Sequence, residues 1–184
     1  MEKTKLHFAV SVIGKDRPGI VAETSEVLYR LGCNIEDSSC TMLAGEFAMI
    51  LIVSHPKPFS KTKLQEEFGL LGVGARLSVF VRSLAEDEIS GTAGDGDICV
   101  VSVYGADKPG IVYRTTRVLA DHRINITDLQ TKLVGTAEEP VYVLTLEALL
   151  PESVQVKDVE EMLEGVKGDL AVDITVRTVT PVTL

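Results

Sequence analysis

No stretch of this sequence stays apolar long enough to cross a bilayer: the longest runs, such as Phe47 to Val53, fall far short of the roughly 20 residues a spanning helix needs. The three cysteines, Cys33, Cys40 and Cys99, are odd in number and lack Cys-x-x-Cys spacing, so neither a disulfide framework nor a zinc site is expected. They read as buried thiols, two in strands and one at a helix-to-strand turn. Positive charge is scarce too. Eighteen Lys and Arg stand against 27 Asp and Glu, giving a net charge of −9, and the cations are scattered rather than gathered in a stripe, which argues against direct nucleic-acid binding. The N-terminal Met1-Glu2-Lys3-Thr4-Lys5 is polar and has no apolar core of the signal-peptide kind, so a cytoplasmic, non-membrane location is the expectation.

What the sequence has is a duplication. Gly14-Lys15-Asp16-Arg17-Pro18-Gly19-Ile20-Val21 returns as Gly105-Ala106-Asp107-Lys108-Pro109-Gly110-Ile111-Val112, an offset of 91 residues that holds without a gap to Asn34-Ile35-Glu36-Asp37 over Asn125-Ile126-Thr127-Asp128. About half the positions in that window agree, Thr24/Thr115, Val27/Val118 and Leu28/Leu119 among them. At 184 residues, 45% hydrophobic and 24% charged, the chain is able to bury two small cores.

The periodicities give one element order twice. Leu6 to Ile13 alternates as a strand, with Phe8, Val10 and Val12 on one face and Ala9, Ser11 and Ile13 on the other. Ile20, Thr24, Val27, Leu28 and Leu31 recur at helical spacing, and Gly32 ends that helix. Asn34 to Met42 and Phe47 to Val53 form a hairpin, Ser60 caps a short helix carrying Leu64, Phe68 and Leu71, and Ala75 to Val81 closes the unit. Gly69-Leu70-Leu71-Gly72-Val73-Gly74 follows a helix and precedes a strand, the reverse of a phosphate-cradling loop, and reads as the helix-ending turn. The second copy runs strand Ile98 to Tyr104, helix Pro109 to His122, strands Asn125 to Val134 and Val141 to Ala148, helix Ser153 to Gly165 and strand Ala171 to Thr178. The expected fold is α+β: two tandem ferredoxin-like βαββαβ domains, each a four-stranded antiparallel sheet with two helices on one face. Their bounds are 1–83 and 97–184, joined by an acidic, glycine-rich linker over 84–96 whose aspartates lack the spacing of a calcium loop. No segment is left over for a catalytic domain. The face opposite the helices, with Ala9, Ile13, Ile98 and Val100, is half apolar and points to a homodimer.

The repeated turn has the chemistry of a site. Pro18 is expected at the first helical position, with Asp16 accepting a hydrogen bond from the backbone near Gly19, while Gly19, Ile20 and Val21 offer N–H groups that have no partner within the helix. Those donors and the helix dipole favour a carboxylate. Asn34 and Asp37 start the next strand, where an amide and a carboxylate suit an ammonium group; a small α-amino acid carries that pair of charges. A purely structural turn accounts for the same residues. Glu36, matched by Thr127, reads as a solvent-facing strand residue. His7, His55 and His122 have no counterparts in the repeat, and no catalytic constellation is found.

These residues resemble the ACT domain, whose signature is an Asp-Arg-Pro-Gly-type turn after the first strand followed by Asn-Ile at the second. Gly32-Cys33-Asn34-Ile35-Glu36-Asp37-Ser38 with Met42-Leu43 and Glu46-Phe47-Ala48-Met49-Ile50 is more narrowly similar to the glycine cleavage system transcriptional repressor family, tandem ACT proteins without a DNA-binding domain. The resemblance implies a sensor, without cofactor or metal, that binds glycine or another small amino acid at an interface between ACT domains and signals to a protein partner such as a transcriptional regulator. The binding positions it implies are Asp16, Pro18, Gly19, Ile20, Asn34, Ile35 and Asp37, with Asp107, Pro109, Gly110, Ile111, Asn125, Ile126 and Asp128 in the second copy. Because the second copy keeps its whole motif, both sites are expected to be competent.

Overall fold

The computed structural model describes residues 5–56, 58–90, 96–136 and 138–179, and the chain divides into two compact units, 1–92 and 93–184. In the first, β1 (Leu6–Lys15), α1 (Ile20–Leu31), β2 (Asn34–Leu43), β3 (Glu46–His55), α2 (Lys61–Ala75) and β4 (Leu77–Leu84) build a sheet of order β2-β3-β1-β4 with every described pairing antiparallel. In the second, β5 (Ile98–Gly105), α4 (Ile111–Asp121), β6 (Asn125–Gly135), β7 (Pro140–Leu149), α5 (Val156–Leu170) and β8 (Asp173–Val179) repeat it as β6-β7-β5-β8. This is the ferredoxin-like α+β architecture that the sequence predicts.

Alternation decides which face is covered. Phe8, Val10 and Val12 of β1 and Met49, Leu51 and Val53 of β3 are buried with Ile20, Val27 and Leu28 of α1 and Leu64 and Phe68 of α2. Each fully buried aliphatic side chain contributes about 1.5–3 kcal/mol, so the helices are held by their apolar stripes rather than by propensity. Cys99, Val101, Val103, Leu144, Leu146, Leu119 and Leu163 do the same in the second unit. Gly14 shows why the motif opens on glycine: a β-carbon there would lie 2.7 Å from Leu77 Cδ2 and 2.9 Å from the Arg76 carbonyl oxygen, and at Gly105 one would lie 2.7 Å from Val172 Cγ1.

Four local expectations are corrected. α1 starts at Ile20, two residues after Pro18, because Gly19 is its N-cap with φ 98°, a left-handed conformation that glycine adopts freely. α2 runs through Gly69–Gly74 to Ala75 rather than stopping there. Residues 86–90, assigned to the linker, form a short helix, α3 (Glu86–Ser90), tied to β4 by an Arg82–Glu88 ion pair; residues 91–95 of the linker lie outside the described residues. Cys40 is exposed, not buried, because β2 is an edge strand with every residue accessible, whereas Cys99 is buried and Cys33 partly so. Burial raises the thiol pKa of both Cys33 and Cys99.

Candidate functional site

The two repeated motifs fold as two separate corners of each unit. At one end, Gly19 N-caps α1 and its carbonyl accepts the first helical hydrogen bond, from Glu23 N–H at 2.9 Å. The amides of Ile20, Val21 and Ala22 precede that bond and have no helical acceptor. No side chain caps the helix: the hydrogen bond expected from Asp16 is not made, and the Asp16 amide instead donates to the Gly45 carbonyl at 2.9 Å, tying the turn to the tip of the β2–β3 hairpin. The second unit repeats the geometry, with Gly110 at φ 100°, Arg114 N–H to the Gly110 carbonyl at 2.9 Å, and no side-chain cap. Asp16, Pro18 and Gly19 are exposed, as are Asp107 and Pro109, while Ile20 and Ile111 point into the cores. Each corner therefore presents three backbone donors at the positive end of a helix dipole, the chemistry of a carboxylate or other small anion.

The charges around the two corners differ. Arg17 donates to Glu23 through both terminal nitrogens, at 2.7 and 2.6 Å, and these bonds hold the Glu23 carboxyl below its ordinary pKa. In the second unit Lys108 Nζ donates to the Leu170 carbonyl at 2.7 Å, and Arg114 pairs with Asp169 at 2.7 Å.

Asn34, Ile35 and Asp37 open β2, and Asn125, Ile126 and Asp128 open β6. Asn34 pairs with Ser54, Ile35 with Val53 and Asp37 with Ile52, which leaves Glu36 as the extra residue of a bulge; Thr127 is the extra residue between Ile126, opposite Ala148, and Asp128, opposite Glu147. The open face carries Asn34 and Asp37 together, while Ile35 faces the helix side with Val53. Asp37, Ser39, Ile50 and Ile52 border a shallow depression of about 170 Å³, and Asn125 and Ile126 border one of about 410 Å³ with Tyr113 and Arg117 of α4.

Glu36, expected to face solvent, is an exposed residue of the edge strand whose side chain nevertheless reaches across the sheet. Only 27% of its side chain is exposed; Oε2 lies 3.0 Å from His7 Nε2, Oε1 lies 3.4 Å from Lys5 Nζ, and Ser54 hydrogen-bonds to it. The Ser54 bond, ahead of Lys5 and His7, lowers its pKa.

The turn and the strand start do not meet within a unit. Asn34 lies level with Ser54 and His7, whereas Asp16 lies beyond Lys15 and Glu46, nine residue steps from His7 and about 30 Å away at the rise of an extended strand. Among the described residues no cluster of three or more His, Cys, Asp or Glu side chains stands ready for a metal ion. A further groove, along α5 and β8 and lined by Glu160, Glu164 and Lys167, contains none of the motif residues.

Comparison with known proteins agrees with this architecture. The ACT domain profile matches residues 7–81 and again 97–177. The glycine cleavage system transcriptional repressor of Escherichia coli K12 is 27% identical over 167 residues, covering 89% of this chain and 85% of that protein. A UPF0237 protein of Streptococcus pneumoniae is 37% identical over 76 residues, 41% of this chain and 86% of its own. Among solved structures, an unknown protein from Galdieria sulphuraria superposes with a TM-score of 0.79 at 28% identity, covering 96% of this chain and all of that one. A putative glycine cleavage system transcriptional repressor superposes with a TM-score of 0.73 at 21% identity over 96% of this chain and 99% of that one, a likeness of fold.

Proposed function

The chain belongs to the ACT domain family, and from that membership we propose that it is a non-catalytic regulator that binds a small amino acid, glycine first among them, and passes the bound state to a protein partner. The observation that carries this reading is the uncapped helix start built twice, in which three amides without helical acceptors sit beside an exposed Pro-Gly turn. A carboxylate bound there satisfies donors that no described residue of the unit satisfies, and the polar pair Asn34 and Asp37, or Asn125 and Asp128, offers acceptors to an ammonium group. The name of the Escherichia coli relative supports glycine and a transcriptional readout. The net charge of −9 supports a signal delivered through protein contacts rather than on nucleic acid.

The separation of about 30 Å between turn and strand start far exceeds the length of a small amino acid, so its two ends need groups from different domains. A homodimer supplies them: the turn of one copy faces the strand start of another. Coupling then follows from mass action, because ligand that bridges two domains favours the assembly in which they are apposed. Calorimetric titration of the chain with glycine, serine and the branched amino acids tests the reading. A ligand at a hundred times its dissociation constant adds roughly 2.7 kcal/mol to stability, and a flat thermal-shift screen across all twenty amino acids counts against it.

The separation of the two corners also favours a second reading, an interaction module whose repeated motifs are structural only. Asn34→Ala with Asn125→Ala separates the two: loss of ligand binding at unchanged melting temperature supports the sensor, and an earlier melt with no ligand found supports the module.

A further inference from the structure

Resting on the amino-acid reading above, we propose that Glu36 is a positioning residue of the first unit's binding pair: it pins the bulge that puts Asn34 and Asp37 on the same face of the sheet. Residues three apart on a regular strand project to opposite faces, so without an extra residue one of the two points at the helices while the other points away. The pairing of Asn34 with Ser54 and Asp37 with Ile52 leaves Glu36 unpaired on the backbone, and that single insertion restores the parity.

The side chain of Glu36 is what fastens the bulge to the rest of the sheet. It reaches three partners that do not belong to β2: Ser54 on β3, His7 on β1 and Lys5 just before β1. Ser54 is 2% exposed, and His7 is mostly buried with no partner at Nδ1 among the described residues, so withdrawing the carboxylate leaves buried polar groups unsatisfied. Slipping the strand by one residue to remove the bulge incurs that loss, and the anchor therefore opposes the slip. The second unit keeps the bulge with a weaker device, Thr127 Oγ1 to the Glu147 carbonyl at 3.4 Å. The matching positions of His7 and Ser54 there are Ile98 and Leu149, which offer a carboxylate nothing. The carboxylate that Glu36 commits to His7 and Ser54 leaves Asp37 as the acid of the first pair available to an ammonium group.

The test uses the full chain with Asn125→Ala to silence the second pair, cross-strand NOEs to read the register, and calorimetry with glycine to read binding. Glu36→Ala is expected to lose the Asn34–Ser54 and Asp37–Ile52 contacts and to weaken glycine at least tenfold. Glu36→Gln, which retains length and an acceptor for Ser54, is expected to restore the contacts and most of the affinity. Glu36→Thr, which carries the second unit's residue, serves if the alanine variant does not fold, and is expected to keep the contacts with a several-fold loss. Unchanged contacts and affinity in Glu36→Ala or Glu36→Thr overturn the proposal. If the parent chain binds none of the twenty amino acids, the sensor reading falls by itself; the NOEs then still decide, since an alanine variant that keeps the register removes the anchor and one that loses it supports it.

Discussion

Glu23 and Arg114 occupy the same place in the two units, one turn into the helix that follows the repeated Pro-Gly, and carry opposite charge. A β-carbon at Gly19 would meet Glu23 Oε1 at 3.3 Å and Arg17 Nη1 at 3.6 Å, so in the first unit an ion pair already sits beside the turn that opens the helix. In the second, Arg114 and Lys108 reach away to Asp169 and the Leu170 carbonyl, and no carboxylate of α4's first turn competes for the corner. Charges at a helix N-terminus are worth about 0.3–1 kcal/mol each. The second corner is therefore expected to take a small carboxylate several-fold more tightly, and Glu23→Gln is expected to bring the first corner up to match it. Calorimetry resolves this as two unequal sites becoming two near-equal ones; equal sites in the unmodified chain would sink the idea.

Gly14 and Gly105 stand where the first strand of each unit passes the start of its last. At Gly14 an added methyl group meets the Arg76 carbonyl oxygen at 2.9 Å, a backbone atom with little freedom to retreat; at Gly105 the obstruction is the Val172 side chain. Overpacking costs about 1–3 kcal/mol, so Gly14→Ala is expected near the top of that range and Gly105→Ala near the bottom. Urea unfolding measures both, and equal small losses would show that β4 shifts as readily as a side chain.

Thr24 and Thr115 are matched positions, both 0% exposed, and neither hydroxyl has a hydrogen-bond partner among the described residues. A buried unpaired hydroxyl costs about 1–3 kcal/mol, and valine fills nearly the same volume with a methyl group. Thr24→Val and Thr115→Val are each expected to stabilise by about 1 kcal/mol, which raises the melting temperature of a domain this size by roughly 4–8 °C. A drop on either substitution would mean that the hydroxyl is satisfied in solution.

The duplication, the element order and the inward face of each strand were legible because they rest on spacing alone: Phe8, Val10 and Val12 fall on the core side wherever β1 begins. The start of α1 was not, since the fixed φ of Pro18 suits the first helical position and a preceding turn equally, and the left-handed φ of Gly19 decides for the turn. The glycines of 69–74 read as a stop because each costs about 1 kcal/mol in a helix, yet α2 continues to Ala75, propensity being a weak prior against tertiary context. The bulge at Glu36 was hidden for another reason. Which residue goes unpaired is settled by the partner strand, and comparing Glu36 with Thr127 pointed away from a contact that only the first unit makes.

Acid is expected to weaken the first unit through three named carboxylates. Glu23 is held below its ordinary value of 4.5 by hydrogen bonds from Arg17, Glu36 by Ser54, and Glu88 by the Ala85 amide. Between each depressed folded value and 4.5 the unfolded chain binds more protons than the folded one, so stability rises with pH there. The contribution is whole above 4.5 and is lost as pH falls through the folded values. Urea midpoints between pH 3 and 6 read the slope, with circular dichroism as the probe. The triple variant Glu23→Gln, Glu36→Gln, Glu88→Gln is expected to be less stable than the parent at pH 6 and to show a flatter profile below 4.5, the two curves converging toward pH 3. Parallel curves over the whole range would place the acid sensitivity on other groups.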